Sequence, residues 1–181
     1  MVGSHLRFAA AAVFFLQVAG CASTGNLNYA SSEPVTSGVR VETPAHPLEC
    51  VSFARAHSGI DLRGDAADWW GQAAGRFARG NKPKEGSILV LTGYAGPHRS
   101  HLAVVRDVIS PREIRVDHAN WMNDGAIYLS DPIVDVSPEN NWSEVRVYNQ
   151  RAAAWGKQTY LVQGFIGPGR VPKDLRLALA D

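Results

Sequence analysis

The sequence has no excess of charge of either sign, few cysteines and no apolar run long enough to cross a membrane. Among 181 residues, 18 Lys and Arg stand against 17 Asp and Glu, so the formal charge is +1. This near-neutrality argues against a nucleic-acid-binding chain, which is normally strongly basic. Two cysteines cannot form the framework of a disulfide-rich domain. The early apolar run, residues 8–16, is far shorter than the roughly 20 residues of a membrane-spanning helix.

The first twenty residues have the pattern of a secretory signal. His5 and Arg7 precede the apolar residues 8–16, and small residues follow before Cys21. A basic start, a short apolar centre and small residues before a cleavage point predict export. Residues 18–21, Val-Ala-Gly-Cys, resemble the lipobox of bacterial lipoproteins, which implies that cleavage after residue 20 leaves Cys21 as a lipid-bearing N-terminus. The alternative is an ordinary export signal with an incidental cysteine at its end.

The predicted mature chain starts with a tether and is formally neutral. Residues 1–20 contain one arginine and no acidic residue, so 17 basic residues remain against 17 acidic ones. Attached acyl chains, and not charge, are therefore expected to hold the chain at a membrane. Residues 21–46 are rich in Ser, Thr, Gly and Pro and predict a lipidated cysteine followed by a flexible segment. Because Ala22, and not Asp, follows Cys21, we expect a lipid-anchored protein on the periplasmic face of the outer membrane.

Hydropathy patterns after residue 46 predict two helices followed by six strands. Pro47 suits the first turn of a helix that ends at Gly59, and a second helix is predicted over residues 66–78. The apolar period then changes to two in residues 87–91, 101–109, 113–119, 126–129, 142–148 and 160–166. Helices followed by strands indicate an α+β fold with an antiparallel sheet. The folded domain is predicted over residues 47–167, with a C-terminal tail over residues 168–181.

Cys50 is the candidate nucleophile. If Cys21 carries lipid, Cys50 has no disulfide partner within the chain. A thiol attacks a carbonyl as the thiolate, so a catalytic cysteine needs help to lose its proton. In the first turn of the predicted helix, unpaired N–H groups favour negative charge and are expected to lower the pKa of the thiol.

Histidines on two neighbouring strands are the candidate partners of this cysteine. His101 opens an apolar strand after a loop that contains Gly and Pro. Only residues 110–112 separate this strand from the next, so the two are predicted to pair as a hairpin that brings residues 118–120 beside His101. A polar side chain that accepts a hydrogen bond from the imidazole would fix its tautomer, and His118 and Asn120 share one strand face. The alternatives are a loop-end His101 that is hydrated by water and an Asn120 that closes a turn.

Five segments resemble, in order and spacing, the CHAP family of cysteine- and histidine-dependent amidohydrolases and peptidases. They are ECVSFAR (49–55), GDAADW (64–69), KPKEGSI (82–88), SHLAVV (100–105) and DHANW (117–121). The resemblance covers residues 47–125 and implies a papain-like α+β fold, with N-terminal helices packed on an antiparallel sheet of about six strands. It implies Cys50 as nucleophile, His101 as base and a polar orienting residue on the next strand. Family members carry Glu two residues before Asn there. Here His118 takes the Glu position and Asn120 matches the Asn, so Asn120 is the first choice and His118 the second.

The resemblance also implies a substrate. Family members mostly cut peptide and amide bonds of the bacterial cell wall, so the expected partner is the stem peptide of peptidoglycan. No cofactor, metal or nucleic acid is expected, and the sequence assigns neither the oligomeric state nor the bond that is cut.

Two other functions fit the sequence less well. A zinc hydrolase could take ligands from His98, His101, Asp117 and His118, but no HExxH motif is present and these clusters lack a recognised spacing. A non-catalytic peptidoglycan-binding or scaffolding lipoprotein could keep a hydrolase-like fold without turnover. The presence of both Cys50 and His101 argues against this second alternative.

Overall fold

The computed structural model describes residues 38–168, which form a β-rich domain with short helices. The elements in chain order are β1 (Arg40–Glu42), α1 (Cys50–Ser58), a 3-10 helix (Ala66–Asp68), α2 (Trp69–Gln72), β2 (Arg79–Gly80), β3 (Ile88–Thr92), β4 (Ser100–Ser110), β5 (Glu113–Ala119), β6 (Ile127–Asp135), β7 (Glu144–Asn149), β8 (Ala154–Trp155) and β9 (Tyr160–Ile166). The predicted signal, Cys21 with the first part of the tether, and residues 169–181 of the predicted tail lie outside the described residues. Within residues 38–168, no helix has the length and apolar character needed to span a membrane.

Six strands close into an antiparallel barrel. Their order around the barrel is β6, β5, β4, β3, β9 and β7, and residues 133–135 of β6 pair with residues 145–147 of β7 to complete the ring. The short β1, which comes from the segment predicted as a tether, pairs with residues 127–129 of β6. The edge of β6 that faces away from β5 is therefore shared between β1 and β7.

The predicted α+β fold, with N-terminal helices packed on an antiparallel sheet of about six strands, is wrong. All six predicted strands are present, but they curl into a closed barrel and the protein is mostly β. The helix predicted over residues 66–78 is reduced to a 3-10 turn and the four residues of α2. The chain turns after α2, and Gly75 adopts the left-handed conformation with φ 70°, which no helix continues through.

A bulge in β6 curves the sheet and turns a carboxylate inward. Ser130 has a φ of 53°, and at this point β5 advances two residues, from Val116 to His118, while β6 advances three, from Asp131 to Tyr128. An extra residue on one strand is a β-bulge, which bends the strand and increases its twist. Because directly paired residues share a face, Tyr128 and Asp131 both lie on the side of the sheet that carries Val116 and His118.

Two apolar cores lie on opposite sides of the sheet, and β4 contributes to both. Leu102 and Val104 pack in the core that includes the helices, whereas Ala103 and Val105 pack in the barrel interior. This alternation follows from the period of two along a strand. His101, two residues before Ala103, therefore lies on the interior face, near the start of β4, and α1 packs against this strand.

Candidate active site

Cys50 is the first residue of α1 and lies against the start of β4. Glu49 precedes it as the N-cap residue but makes no side-chain cap hydrogen bond, so its carboxylate does not occupy the first-turn N–H groups of α1. The backbone N–H of Leu102 lies beside the thiol of Cys50 and favours its ionised form. Leu102 directly follows His101, so the thiol lies against the start of the strand that carries the candidate base.

The thiol of Cys50 is protonated at neutral pH. Burial raises its pKa above the usual value and the charge of Glu49 adds to the rise, while hydrogen bonds from the backbone N–H groups of Leu102 and Val51 oppose it. The expectation of a lowered pKa is therefore wrong, because desolvation outweighs the helix N-terminus. A nucleophilic role for Cys50 then requires a base that removes the thiol proton during the reaction.

A buried chain of hydrogen bonds runs from His101 through His118 to Asp131. Nε2 of His101 lies 2.9 Å from Nδ1 of His118, and Nε2 of His118 lies 3.0 Å from Oδ2 of Asp131. Burial, together with the neighbouring His118, lowers the pKa of His101 well below its usual value. His101 is therefore a neutral imidazole, which is the form that accepts a proton.

Asn120, the first choice for the orienting residue, directs both of its side-chain hydrogen bonds away from His101. Its Nδ2 donates to Oε2 of Glu49 at 2.9 Å, and its Oδ1 accepts from the backbone N–H of Gly125 at 2.8 Å. Asn120 therefore ties the loop after β5 to the residue that precedes the nucleophile. His118, the second choice, is the residue that the structure brings into contact with His101.

Aromatic rings enclose the two histidines. The ring of Trp121 lies 4.9 Å from that of His101 and 5.4 Å from that of His118, measured between centroids. Tyr94 lies 4.9 Å from His101 and Tyr128 5.5 Å from His118. The hydroxyl of Tyr94 donates to the backbone carbonyl of Trp121, and burial raises its pKa to about 12. These neutral rings restrict rotation of the imidazoles and keep water from their hydrogen bonds.

An open groove of about 220 Å³ leads to Cys50. The exposed acidic side chains of Glu49 and Asp65 and the exposed basic side chain of Arg99 contribute to its lining. The remaining lining residues are Cys50, Val51, Ala66, Ala67, His98 and Ser100. The groove therefore offers charge of both signs beside a thiol.

The residues of the zinc alternative do not converge. Asp117 accepts hydrogen bonds from Nη1 of Arg106 at 3.0 Å and from the backbone N–H of Ser130 at 2.8 Å. His98 is exposed on the groove. Throughout residues 38–168, no three His, Cys, Asp or Glu side chains are grouped so that they could hold a metal ion.

Sequence reasoning missed Asp131 and the role of Glu49. The predicted strand over residues 126–129 ends before Asp131, and a continued period of two would place Asp131 on the face opposite Tyr128. The bulge at Ser130 brings Asp131 to the same face as Tyr128. No feature of the sequence indicates that Ser130 has a positive φ. The link from Glu49 to Asn120 spans 71 residues and has no local signal.

The comparisons agree with the resemblance seen in the motifs. The family model of the CHAP domain matches residues 41–120 of the chain, which include Cys50, His101, His118 and Asn120. The resemblance is therefore confirmed over those residues. No curated protein and no solved structure matches the chain.

Proposed function

Residues 41–120 carry a CHAP domain, and we propose that the protein is a peptidoglycan hydrolase that cleaves an amide or peptide bond with Cys50 as nucleophile and His101 as base. One observation carries this proposal. The thiol of Cys50 lies beside the backbone N–H of Leu102, the residue that directly follows His101.

The proposed reaction starts from a neutral thiol and a neutral imidazole. Sulfur attacks the carbonyl carbon while the thiol proton passes to Nδ1 of His101, because Nε2 is already engaged by His118. The uncapped N–H groups at the start of α1, including that of Cys50, stabilise the oxyanion. His101 then protonates the leaving nitrogen, and water hydrolyses the thioester with the same histidine as base.

His118 is the orienting residue in this proposal. It contacts His101 directly, whereas Asn120 supports the segment before the nucleophile. The imidazole of His118 fills the role that a carboxylate or amide oxygen fills in other members of the family, since a neutral imidazole also presents one unprotonated nitrogen as an acceptor.

The groove supports a peptide of the cell wall as substrate. Stem peptides carry free carboxylates and amines, and the groove presents Arg99 to the former and Glu49 and Asp65 to the latter. Export and lipidation of Cys21 would place the domain beside the wall, on the periplasmic face of the outer membrane. A flexible segment after Cys21 would give the domain reach toward its substrate.

Digestion of purified peptidoglycan tests the proposed function. The full chain, its Cys50→Ala variant and its Cys21→Ser variant are incubated with sacculi, and the released fragments are identified by mass spectrometry. We expect the wild type and Cys21→Ser to release the same fragments and Cys50→Ala to release none, with an unchanged melting temperature. The fragment masses identify the bond.

Two results would contradict the proposal. Fragments released by Cys50→Ala would exclude the thiol mechanism. Retained binding to sacculi without any release by the wild type would favour the non-catalytic scaffold.

A further inference from the structure

Asp131 is a buried carboxylate that no part of the proposed mechanism uses. It is fully buried in β6, where a carboxylate needs a partner to offset the loss of water. Its Oδ2 lies 3.0 Å from Nε2 of His118, whereas Oδ1 has no hydrogen-bond partner among residues 38–168. Asp131 also lies beyond residues 41–120, the part of the chain that matches the CHAP domain.

The chain of hydrogen bonds allows one distribution of protons when Asp131 is ionised and both histidines are neutral. A carboxylate only accepts, so Nε2 of His118 must carry its proton and donate to Oδ2. Nδ1 of His118 is then unprotonated and accepts from Nε2–H of His101. Nδ1 of His101 is left without a proton. It is the ring nitrogen that remains to take the proton of Cys50.

We propose that Asp131 is a positioning residue that, through His118, fixes His101 in the tautomer able to accept the thiol proton. This inference rests on the proposed function of Cys50 and His101. When the S–H bond of Cys50 breaks and an N–H bond forms at Nδ1 of His101, the positive charge gained by His101 lies two hydrogen bonds from the carboxylate. Asp131 therefore sets the tautomer before the reaction and stabilises the imidazolium during it.

The opposite arrangement would disable His101. If Asp131 were protonated and donated to Nε2 of His118, the proton of His118 would move to Nδ1 and be donated to Nε2 of His101. Nδ1 of His101 would then carry a proton and could not act as the base. The two arrangements differ in the protonated nitrogen of both rings, so they are distinguishable without any substrate.

Nuclear magnetic resonance of the full chain with ¹⁵N-labelled histidine tests the tautomers directly. Two-bond ¹H–¹⁵N correlations at neutral pH report which ring nitrogen carries the proton. We expect Nε2–H in both His101 and His118 of the unmodified protein. A proton on Nδ1 of either ring would overturn the proposal, and this measurement does not depend on whether a variant folds.

Asp131→Asn tests the consequence for the reaction, with Asp135→Asn as the matched control. Asp135 is also buried in β6 and accepts from the backbone N–H of Ser137, but it lies about 13 Å along the strand from Asp131. We expect Asp131→Asn to lower kcat on sacculi roughly 100-fold or more with little change in KM, as expected for a lost base. Asp135→Asn should lower only the melting temperature. Equal kcat in Asp131→Asn and the wild type would refute the role.

The rate at which iodoacetamide alkylates Cys50 separates this inference from the proposed function. The modified Cys50 peptide is quantified by mass spectrometry, and the reaction requires no knowledge of the substrate. We expect Asp131→Asn to slow alkylation at pH 7 several-fold and Asp135→Asn to leave it unchanged. If the wild type did not digest peptidoglycan, the proposed function would fail. The histidine tautomers and the rate of Cys50 alkylation would still show whether Asp131 positions His101.

Discussion

Gly125 offers a sharp test of how the loop after β5 positions the nucleophile. It has a φ of 67°, and a Cβ added there would lie 2.5 Å from Cβ of Pro47 and 2.8 Å from its Cα. Its carbonyl also accepts a hydrogen bond from the backbone N–H of Leu48 at 3.1 Å, two residues before Cys50. Gly125→Ala must therefore push residues 47 and 48 away and disturb the start of α1.

Gly75 is the matched control for this substitution. Its φ is 70°, and nothing lies within 4 Å of the position that its Cβ would occupy. An alanine in this conformation costs about 1 kcal/mol, partly offset by the lower entropy of the unfolded chain. Overpacking adds about 1–3 kcal/mol. We therefore expect Gly75→Ala to lower the free energy of unfolding by about 0–1 kcal/mol and Gly125→Ala to lower it by about 1–4 kcal/mol.

Urea unfolding and kcat on sacculi measure the two parts of this prediction. The free energy of unfolding should separate Gly125→Ala from Gly75→Ala by about 1–3 kcal/mol. Activity should fall about tenfold in Gly125→Ala at temperatures where it is folded, because small displacements of a catalytic group are costly, and stay unchanged in Gly75→Ala. Equal stability of the two variants would refute the steric argument, and an unchanged kcat in Gly125→Ala would refute the link to Cys50.

Three further predictions concern the same site. In urea unfolding, Asn120→Ala should lower the free energy of unfolding by about 1–2 kcal/mol more than Asn123→Ala, because both residues have positive φ but only the side chain of Asn120 bonds to Glu49. Equal losses of stability in the two variants would contradict a stabilising role for this hydrogen bond. The free energy of unfolding should decrease as the pH is lowered below about 6.5, because His101 binds a proton in the unfolded chain but not in its buried folded position. His101→Gln should reduce this pH dependence. Parallel pH profiles of the wild type and the variant would argue against a neutral His101. Alkylation of Cys50 should still accelerate at pH 9, because burial raises the pKa of the thiol above 9.0; a plateau below pH 8 would show a lowered pKa instead.

The strands were predictable because they depend on local alternation. Residues 113–119 and 160–166 coincide with β5 and β9, and the other four predicted strands overlap observed ones. Closure of the barrel was not predictable in the same way. Closure requires residues 133–135 to pair with residues 145–147, and residues 133–135 lie beyond the end of the strand predicted over residues 126–129. Closure also follows a bulge at Ser130 that no local sequence pattern indicates.

The candidate site could be predicted to the level of its motifs but not of its contacts. Cys50 and His101 stand out through helix and strand positions, and the CHAP match includes them. The choice between His118 and Asn120 could not be made from alternation, because both have the same parity. Asn120 follows the end of β5 with a φ of 62°, which redirects its side chain toward Glu49 and leaves His118 beside His101.

The most direct test of a thiol hydrolase compares residual activity with the fraction of Cys50 that is alkylated. Samples of the full chain are treated with increasing iodoacetamide, and each is assayed for dye release from labelled sacculi while mass spectrometry quantifies the Cys50 peptide. We predict that activity falls in proportion to free Cys50 and reaches zero when it is fully modified, and that a chelator has no effect. Activity that survives complete modification of Cys50, or that a chelator abolishes, would contradict the account.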